Sequence, residues 1–176
     1  MESIVLGGGC FWCVEAAYLM IKGVSSAVSG YAGGSEKDAE YYTVGSGTTG
    51  HAEVVQVTFD PAIISLADIF EIFFTIHNPT TKDRQGNDVG PQYRSVIFYA
   101  NDAQRQAAVT AVTAVQPLWD EPIVTEIAPL QAFYKAEDYH QNYFAQNPEQ
   151  GYCQVIINPK LQKLRQKFAA RIKDKA

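Results

Sequence analysis

The sequence predicts an α/β (α+β) fold in a single domain, a two-layer sandwich with helices packed on a sheet. Three observations predict it. Short β-type runs interleave with longer stretches of helical apolar spacing along the whole chain. The 176 residues, 47% of them hydrophobic, suffice for one sizeable core. No repeat, low-complexity tract or linker composition divides the chain, so residues 1–176 are expected to form one domain.

The elements follow in order. Ile4-Val5-Leu6 is a short strand, and Gly7-Gly8-Gly9 permits a tight turn after it. Residues 11–21 place Val14, Ala17, Tyr18 and Ile21 on one helical face, with Gly23 as a stop. Residues 24–31 read as a strand leading into a polar, turn-rich loop, 35–50. Residues 52–59 alternate as a strand does, and Glu53 falls in register with the apolar Val55, Val57 and Phe59. Ser65 and Asp68 form a capping box, with Ile64 and Ile69 as a staple, for a helix reaching His77. The loop 80–93 is long enough to imply a purpose. A strand at 95–99, a helix at 102–116 stopped by Pro117 and a strand at 123–127 come next. A helix over 136–145 carrying His140 and a basic amphipathic helix over 160–173 complete the pattern.

Composition excludes several classes. A net charge of −5 argues against general nucleic-acid binding, and no apolar run approaches the ~20 residues of a membrane span. Met1-Glu2-Ser3 begins no secretory signal, and three cysteines make no secreted disulfide framework. A cytoplasmic, monomeric protein is the expectation. Gly-Gly-Gly-Cys is neither a P-loop nor Gly-x-Gly-x-x-Gly, and no Ser-His-Asp arrangement is suggested.

What remains is sulfur chemistry. Cys10 sits where a Gly-rich turn meets a helix N-terminus, whose free N–H groups and dipole favour an anion such as a reactive thiolate. Cys13 lies three positions on and Cys153 near the far end, after a break at Asn147-Pro148. Glu53, inward-facing on its strand, reads as a desolvated acid with a raised pKa, a proton donor near neutral pH. Loops and element ends can gather Tyr41, Asp88, Tyr93 and His140 around these groups. Thiols, an acid and phenols together suit an oxygen that must be protonated as it leaves.

Five motifs then carry a resemblance: Gly9-Cys10-Phe11-Trp12, Gly50-His51-Ala52-Glu53, Gln85-Gly86-Asn87-Asp88-Val89-Gly90 with Gln92-Tyr93-Arg94-Ser95, Tyr134 through Gln141, and Asn147-Pro148 through Gly151-Tyr152-Cys153. In this order and over nearly the whole chain they resemble the class A peptide methionine sulfoxide reductases. The resemblance implies a ferredoxin-like core with additional helices and long active-site loops. It implies that Cys10 attacks the sulfoxide sulfur and becomes a sulfenic acid. Glu53 is then the proton donor, with Tyr41 and Tyr93 hydrogen-bonding the oxygen. Phe11 and Trp12 form the methyl pocket, and Asp88 holds the substrate or orders the site. The implied substrate is the S epimer of free or peptide-bound methionine sulfoxide, with thioredoxin as reductant and no metal or cofactor.

One departure matters. Residue 13 is often Gly in that family and is Cys here, so Cys153, in segment 147–176, and Cys13 both stand as candidates to resolve the sulfenic acid. The match around Cys153 includes its neighbours, which favours it; a relay through both is open. Two other readings compete: a glutaredoxin-like dithiol oxidoreductase on Cys10 and Cys13, and a zinc module built from Cys10, Cys13, Cys153 and His140. The first leaves Glu53 and both loops without a task. The second lacks a paired motif in its other half.

Overall fold

The computed structural model describes residues 1–173; the last three residues of the expected 1–176 domain lie outside the described part. The chain runs β1 (Glu2–Gly7), α1 (Phe11–Leu19), β2 (Val24–Ala32), α2 (Tyr41–Gly45), β3 (Ala52–Phe59) and α3 (Leu66–Ile76). A small hairpin of β4 (Arg84–Gln85) and β5 (Asp88–Val89) precedes β6 (Val96–Tyr99), α4 (Asp102–Val115), β7 (Glu126–Pro129) and β8 (Phe133–Lys135). The chain closes with α5 (Tyr143–Gln146) and α6 (Asn158–Lys167).

The main sheet has the order β7-β6-β1-β3-β2-β8. Its central four strands, with α1 and α3 as crossovers, form a β-α-β-β-α-β unit with mutually antiparallel neighbours. That is the ferredoxin-like arrangement the family resemblance implies. β7 extends one edge parallel to β6, and β8 extends the other antiparallel to β2.

The period-2 alternation divides the sheet into two faces. Ile4, Leu6, Val55, Val57, Phe59 and Ile97 face the helices and join Phe70, Phe73 and Ile69 in the main core. Val5, Val54, Val96 and Phe98 form the reverse face, covered by Ala128, Leu130 and Phe133. The predicted capping box is present: Ser65 Oγ accepts the Asp68 N–H at 3.1 Å, and the Asp68 carboxylate accepts the Ser65 N–H at 3.4 Å. Such a cap is worth about 1 kcal/mol. Tyr18 is fully buried on α1, and its hydroxyl donates to the Ile69 carbonyl at 2.7 Å, tying α1 to α3 without an orphaned polar group.

Several expected elements differ. α1 stops at Leu19, two residues short of the expected end, and is buried nearly all round, Glu15 included. The helix expected over 136–145 does not form. Instead β8 pairs with β2, a 3-10 turn spans Asp138–His140, and Asn142 takes a left-handed φ of 55° before the single-turn α5. Gln141 explains this: its side chain accepts the Ser29 N–H at 3.1 Å and donates to the Ser29 carbonyl at 2.9 Å, pinning the segment to the sheet. Tertiary hydrogen bonds thus override the local helical pattern. The strand expected at 123–127 lies later, at Glu126–Pro129, because Ile127 pairs with Ile97. The final helix starts earlier, at Asn158, behind a π-helical turn spanning Cys153–Ile157, and ends at Lys167.

Candidate active site

The site is built at the junction of β1 and α1. Gly9 has φ 95°, and a Cβ there would lie 2.7 Å from Gln85 Cγ, so glycine is required on both counts. Gln85 in turn grips Asn78, accepting its N–H and donating to its carbonyl, both at 2.9 Å. Beneath the turn, a Cβ on Gly8 would sit 3.1 Å from the His77 ring. His77 is held by the Phe73 carbonyl at 2.6 Å and Ser95 Oγ at 2.7 Å, and burial lowers its pKa to about 3, which keeps it neutral. The turn that aims Cys10 is therefore clamped from two sides.

Cys10 occupies the N-cap position of α1 with extended backbone and no side-chain cap. Glu53 comes from the start of β3 on the helix-facing side, as the alternation predicts. It is 3% exposed, and its Oε1 accepts the Phe11 N–H at 3.2 Å. Burial raises its pKa from 4.5 to about 8, and the charges of Asp88 and Cys13 push the same way against that N–H bond. The carboxyl is thus mostly protonated at neutral pH. Burial also pushes the Cys10 thiol well above its ordinary value, helped by its hydrogen bond toward Cys13 and by the Glu53 charge. The helix N-terminus alone does not make Cys10 a resting thiolate, because desolvation outweighs it.

Each long polar loop delivers a phenol. Tyr41 opens α2, its ring stacked 6.5 Å from Phe11, and burial with the nearby Glu53 and Cys10 charges raises its hydroxyl to about 12. Tyr93 ends the 3-10 turn Pro91–Tyr93, and burial followed by Glu53 and Asp88 raises its pKa as well. Both phenols therefore stay protonated near neutral pH, and each is close enough to Glu53 and Cys10 to feel their charge.

Trp12 is half-buried. Its Nε1–H donates to His140 Nδ1 at 3.0 Å, and its ring stacks on Tyr143 with centroids 3.7 Å apart and planes nearly parallel at 5°. Phe11 is fully buried among Tyr31, Tyr41 and His140, whereas Trp12 is partly exposed. His51 braces the loop after β2, with Nδ1 accepting the Gly34 N–H at 3.1 Å and Nε2 2.7 Å from the Ser35 carbonyl.

All three cysteines are free and buried. The Cys13 pKa is lowered, chiefly by the hydrogen bond from Cys10 and further by the Lys160 charge and the Tyr152 hydroxyl, against burial. Cys13 Sγ lies 3.9 Å from Tyr152 Oη, which donates to Asp88 at 2.7 Å. Cys153 is fully buried in the π-helical turn, where desolvation and the charge of Cys13 raise its pKa. Among the described residues no three His, Cys, Asp or Glu side chains converge as metal ligands would. The proposed zinc set of Cys10, Cys13, Cys153 and His140 is not gathered, and His140 Nδ1 is taken by Trp12. None of the described helices is long and apolar enough to cross a membrane.

Two groups escaped the sequence reading. Glu15, on an otherwise apolar helix, is buried and accepts the Ser29 hydroxyl at 3.0 Å; burial raises its pKa. An acid in the run Phe-Trp-Cys-Val-Glu-Ala-Ala was the available signal. Tyr152 sits inside the Gly-Tyr-Cys motif, and nothing local reveals that it reaches Cys13.

The family model for peptide methionine sulfoxide reductase matches residues 2–172. This chain belongs to that family. The peptide methionine sulfoxide reductases are oxidoreductases, and the match displaces the glutaredoxin-like reading. The chain is 54% identical over 170 residues to the peptide methionine sulfoxide reductase MsrA of Paenarthrobacter aurescens, covering 97% of this chain and 98% of that one. Among solved structures it is similar to methionine sulfoxide reductase A of Corynebacterium diphtheriae, with TM-score 0.81, 36% identity, and 88% of this chain and 78% of that one covered. It is also similar to Mxr1 from Saccharomyces cerevisiae in complex with Trx2, with TM-score 0.57, 31% identity, and 81% and 84% covered. In this chain the buried Glu53 carboxyl is bonded to the backbone beside Cys10 where β1 meets α1, and the charges of both groups reach Tyr41 and Tyr93.

Proposed function

We propose that this reductase converts the S epimer of methionine sulfoxide, free or in peptides, to methionine in the cytoplasm. It acts as a monomer, as a single catalytic domain spanning residues 1–176, without binding nucleic acid or membrane. Thioredoxin is the reductant, a reading supported by the similarity to a relative solved with Trx2.

A sulfoxide has a positive sulfur and a negative oxygen, so thiol attack is slow until the oxygen is protonated. The observation that carries the reading is the buried Glu53 carboxyl, hydrogen-bonded one residue from Cys10, where burial raises its pKa to about 8 and so favours the protonated form. In the first step the Cys10 sulfur attacks the sulfoxide sulfur, and Glu53 gives its proton to the oxygen. The S–O bond to the substrate breaks as Cys10 takes the oxygen, giving a sulfenic acid and a thioether. Two electrons pass from Cys10 to the substrate sulfur, and the Cys10 thiol proton replaces the one Glu53 gave up. Tyr41 and Tyr93 stabilise the oxygen as charge develops; either can serve as the aimed donor, and the donation as a whole is worth about 10²–10³ in rate. Trp12, with Phe11 behind it, shapes the methyl pocket, and Asp88 orders the site through Tyr152. A chiral sulfur in a rigid pocket explains one enzyme per epimer. A second thiol, Cys13 or Cys153, then closes a disulfide that thioredoxin reduces.

The test is reduction of separated S and R epimers by the wild-type protein and Cys10→Ser. S-specific activity lost in Cys10→Ser supports the reading; reduction of the R epimer, or activity surviving in the variant, refutes it.

A further inference from the structure

Two thiols compete to close on Cys10, and their surroundings differ. Cys13 lies one helical turn along α1: its N–H donates to the Cys10 carbonyl at 3.2 Å, and each of the two thiols shifts the titration of the other. Cys153 is fully buried in the π-helical turn beyond, and among the thiols it is Cys13 whose charge it feels.

A chain of groups also leads away from Cys13. Tyr152 Oη, 3.9 Å from the Cys13 sulfur, gives its proton to Asp88 at 2.7 Å, so its oxygen lone pairs are free to accept the thiol hydrogen. Desolvation first, then the charges of Cys10, Cys13 and Asp88, raise the Tyr152 pKa, so the phenol passes a proton on and does not lose one. Asp88 and Tyr152 open on a cavity of about 310 Å³ that Pro159 and Lys160 also line. At about 30 Å³ per water molecule, it has room to carry a proton to solvent. The Lys160 charge favours the Cys13 thiolate from the same side, against burial and a smaller opposing effect of the Asp88 charge.

We propose that Cys13 is the first thiol to close on Cys10, with Tyr152 as the catalytic residue that takes its proton and Asp88 as the positioning residue behind Tyr152. The proposal rests on the sulfenic acid chemistry above. The Cys13 sulfur attacks the Cys10 sulfur; an S–S bond forms and the S–O bond breaks. The Cys13 proton moves to Tyr152 as the Tyr152 proton moves to Asp88. The departing hydroxide takes the Glu53 proton and leaves as water, and solvent returns the proton from Asp88 to Glu53. The Cys13 sulfur is oxidised and the sulfenic sulfur reduced by one formal electron each, both ending at the disulfide level, so closure needs no outside oxidant or reductant. Cys153 then exchanges onto the Cys13 sulfur, releasing the Cys10 thiol and carrying the disulfide toward the reductant.

Rapid-quench single turnovers on a peptide bearing S-methionine sulfoxide, with disulfides mapped by mass spectrometry, test this. Cys153→Ser is expected to accumulate a Cys10–Cys13 disulfide in full yield. Cys13→Ser is expected to release methionine but to hold the sulfenic acid on Cys10. Tyr152→Phe is expected to slow disulfide closure about 10-fold or more relative to methionine release, the low end of general-base effects. Its closure rate should recover at higher pH. Asp88→Asn, which keeps the side-chain volume, should behave alike and guards against misfolding of the tyrosine variant. A Cys10–Cys153 disulfide forming in Cys13→Ser at the wild-type rate overturns the proposal, as does an unchanged closure rate and pH profile in both Tyr152→Phe and Asp88→Asn. Failure of the wild type to release methionine instead defeats the function on which it rests.

Discussion

Replacing Glu53 by Gln removes the acidic proton and little else. Gln has nearly the same volume, and its carbonyl oxygen can still accept the Phe11 N–H now bound at 3.2 Å. The fold around β3 should therefore survive. What is lost is general-acid catalysis of sulfoxide cleavage, typically about 10²–10⁴-fold. At 1.36 kcal/mol per decade this is roughly 3–5 kcal/mol of barrier. Single-turnover methionine release measures it directly, because thiol recycling does not intervene. The pH dependence is a second signature. With its pKa raised from 4.5 to about 8, wild-type Glu53 keeps its proton below about pH 8, and its contribution to the rate falls above that. The stability sign follows from linkage. Between pH 4.5 and 8 the native state holds a proton at Glu53 that the unfolded chain has released, so this group's contribution to stability decreases as pH rises through that window. Glu53→Gln should show neither the alkaline fall in rate nor this stability slope. A Glu53→Gln protein that releases methionine at the wild-type rate would refute the reasoning.

Other perturbations have defined outcomes. Tyr41→Phe and Tyr93→Phe should each lower the rate of methionine release modestly, while the double variant loses more than the two effects combined, since either phenol can serve the same oxygen; strictly additive losses in single-turnover rates would assign them separate tasks. Gly9→Ala forces a Cβ into Gln85 at 2.7 Å and places a side chain at φ 95°, so denaturant melts should show a loss of at least about 1 kcal/mol, with a slower first turnover; an unchanged melt would contradict the clamp. His77→Ala empties the site between Phe73 and Ser95 and leaves Ser95 Oγ without its ring partner, for a loss of about 2–4 kcal/mol by chemical denaturation.

Much of the site was legible because its signals are local. The alternation over β3 put Glu53 on the side of Val55 and Val57, and its burial and raised pKa follow from that register. The Gly run before an apolar helix put Cys10 at the α1 N-cap. Its protonation was not legible, because the helix terminus is readable from the sequence while the extent of burial is not. The missed features are long-range. Cys13 meets Tyr152 across 139 residues, and Gln141 meets Ser29 across 112, a contact that turns an expected helix into a 3-10 turn and a short helical segment. The family resemblance, and not a signature of its own, makes Phe11 a pocket wall, and its ring is enclosed by Tyr31 and Tyr41, which arrive from other elements. Residues delivered to the site by the chain's own periodicity could be read in advance. Those delivered by contacts between distant segments could not.

The most direct measurement is made on the Cys13→Ser/Cys153→Ser chain, which leaves Cys10 as the one thiol. One equivalent of S-methionine sulfoxide is added, followed by a carbon nucleophile that traps sulfenic acids, and methionine and labelled protein are quantified together. The account predicts one labelled Cys10 for each methionine released. Methionine released without label on Cys10 would contradict it.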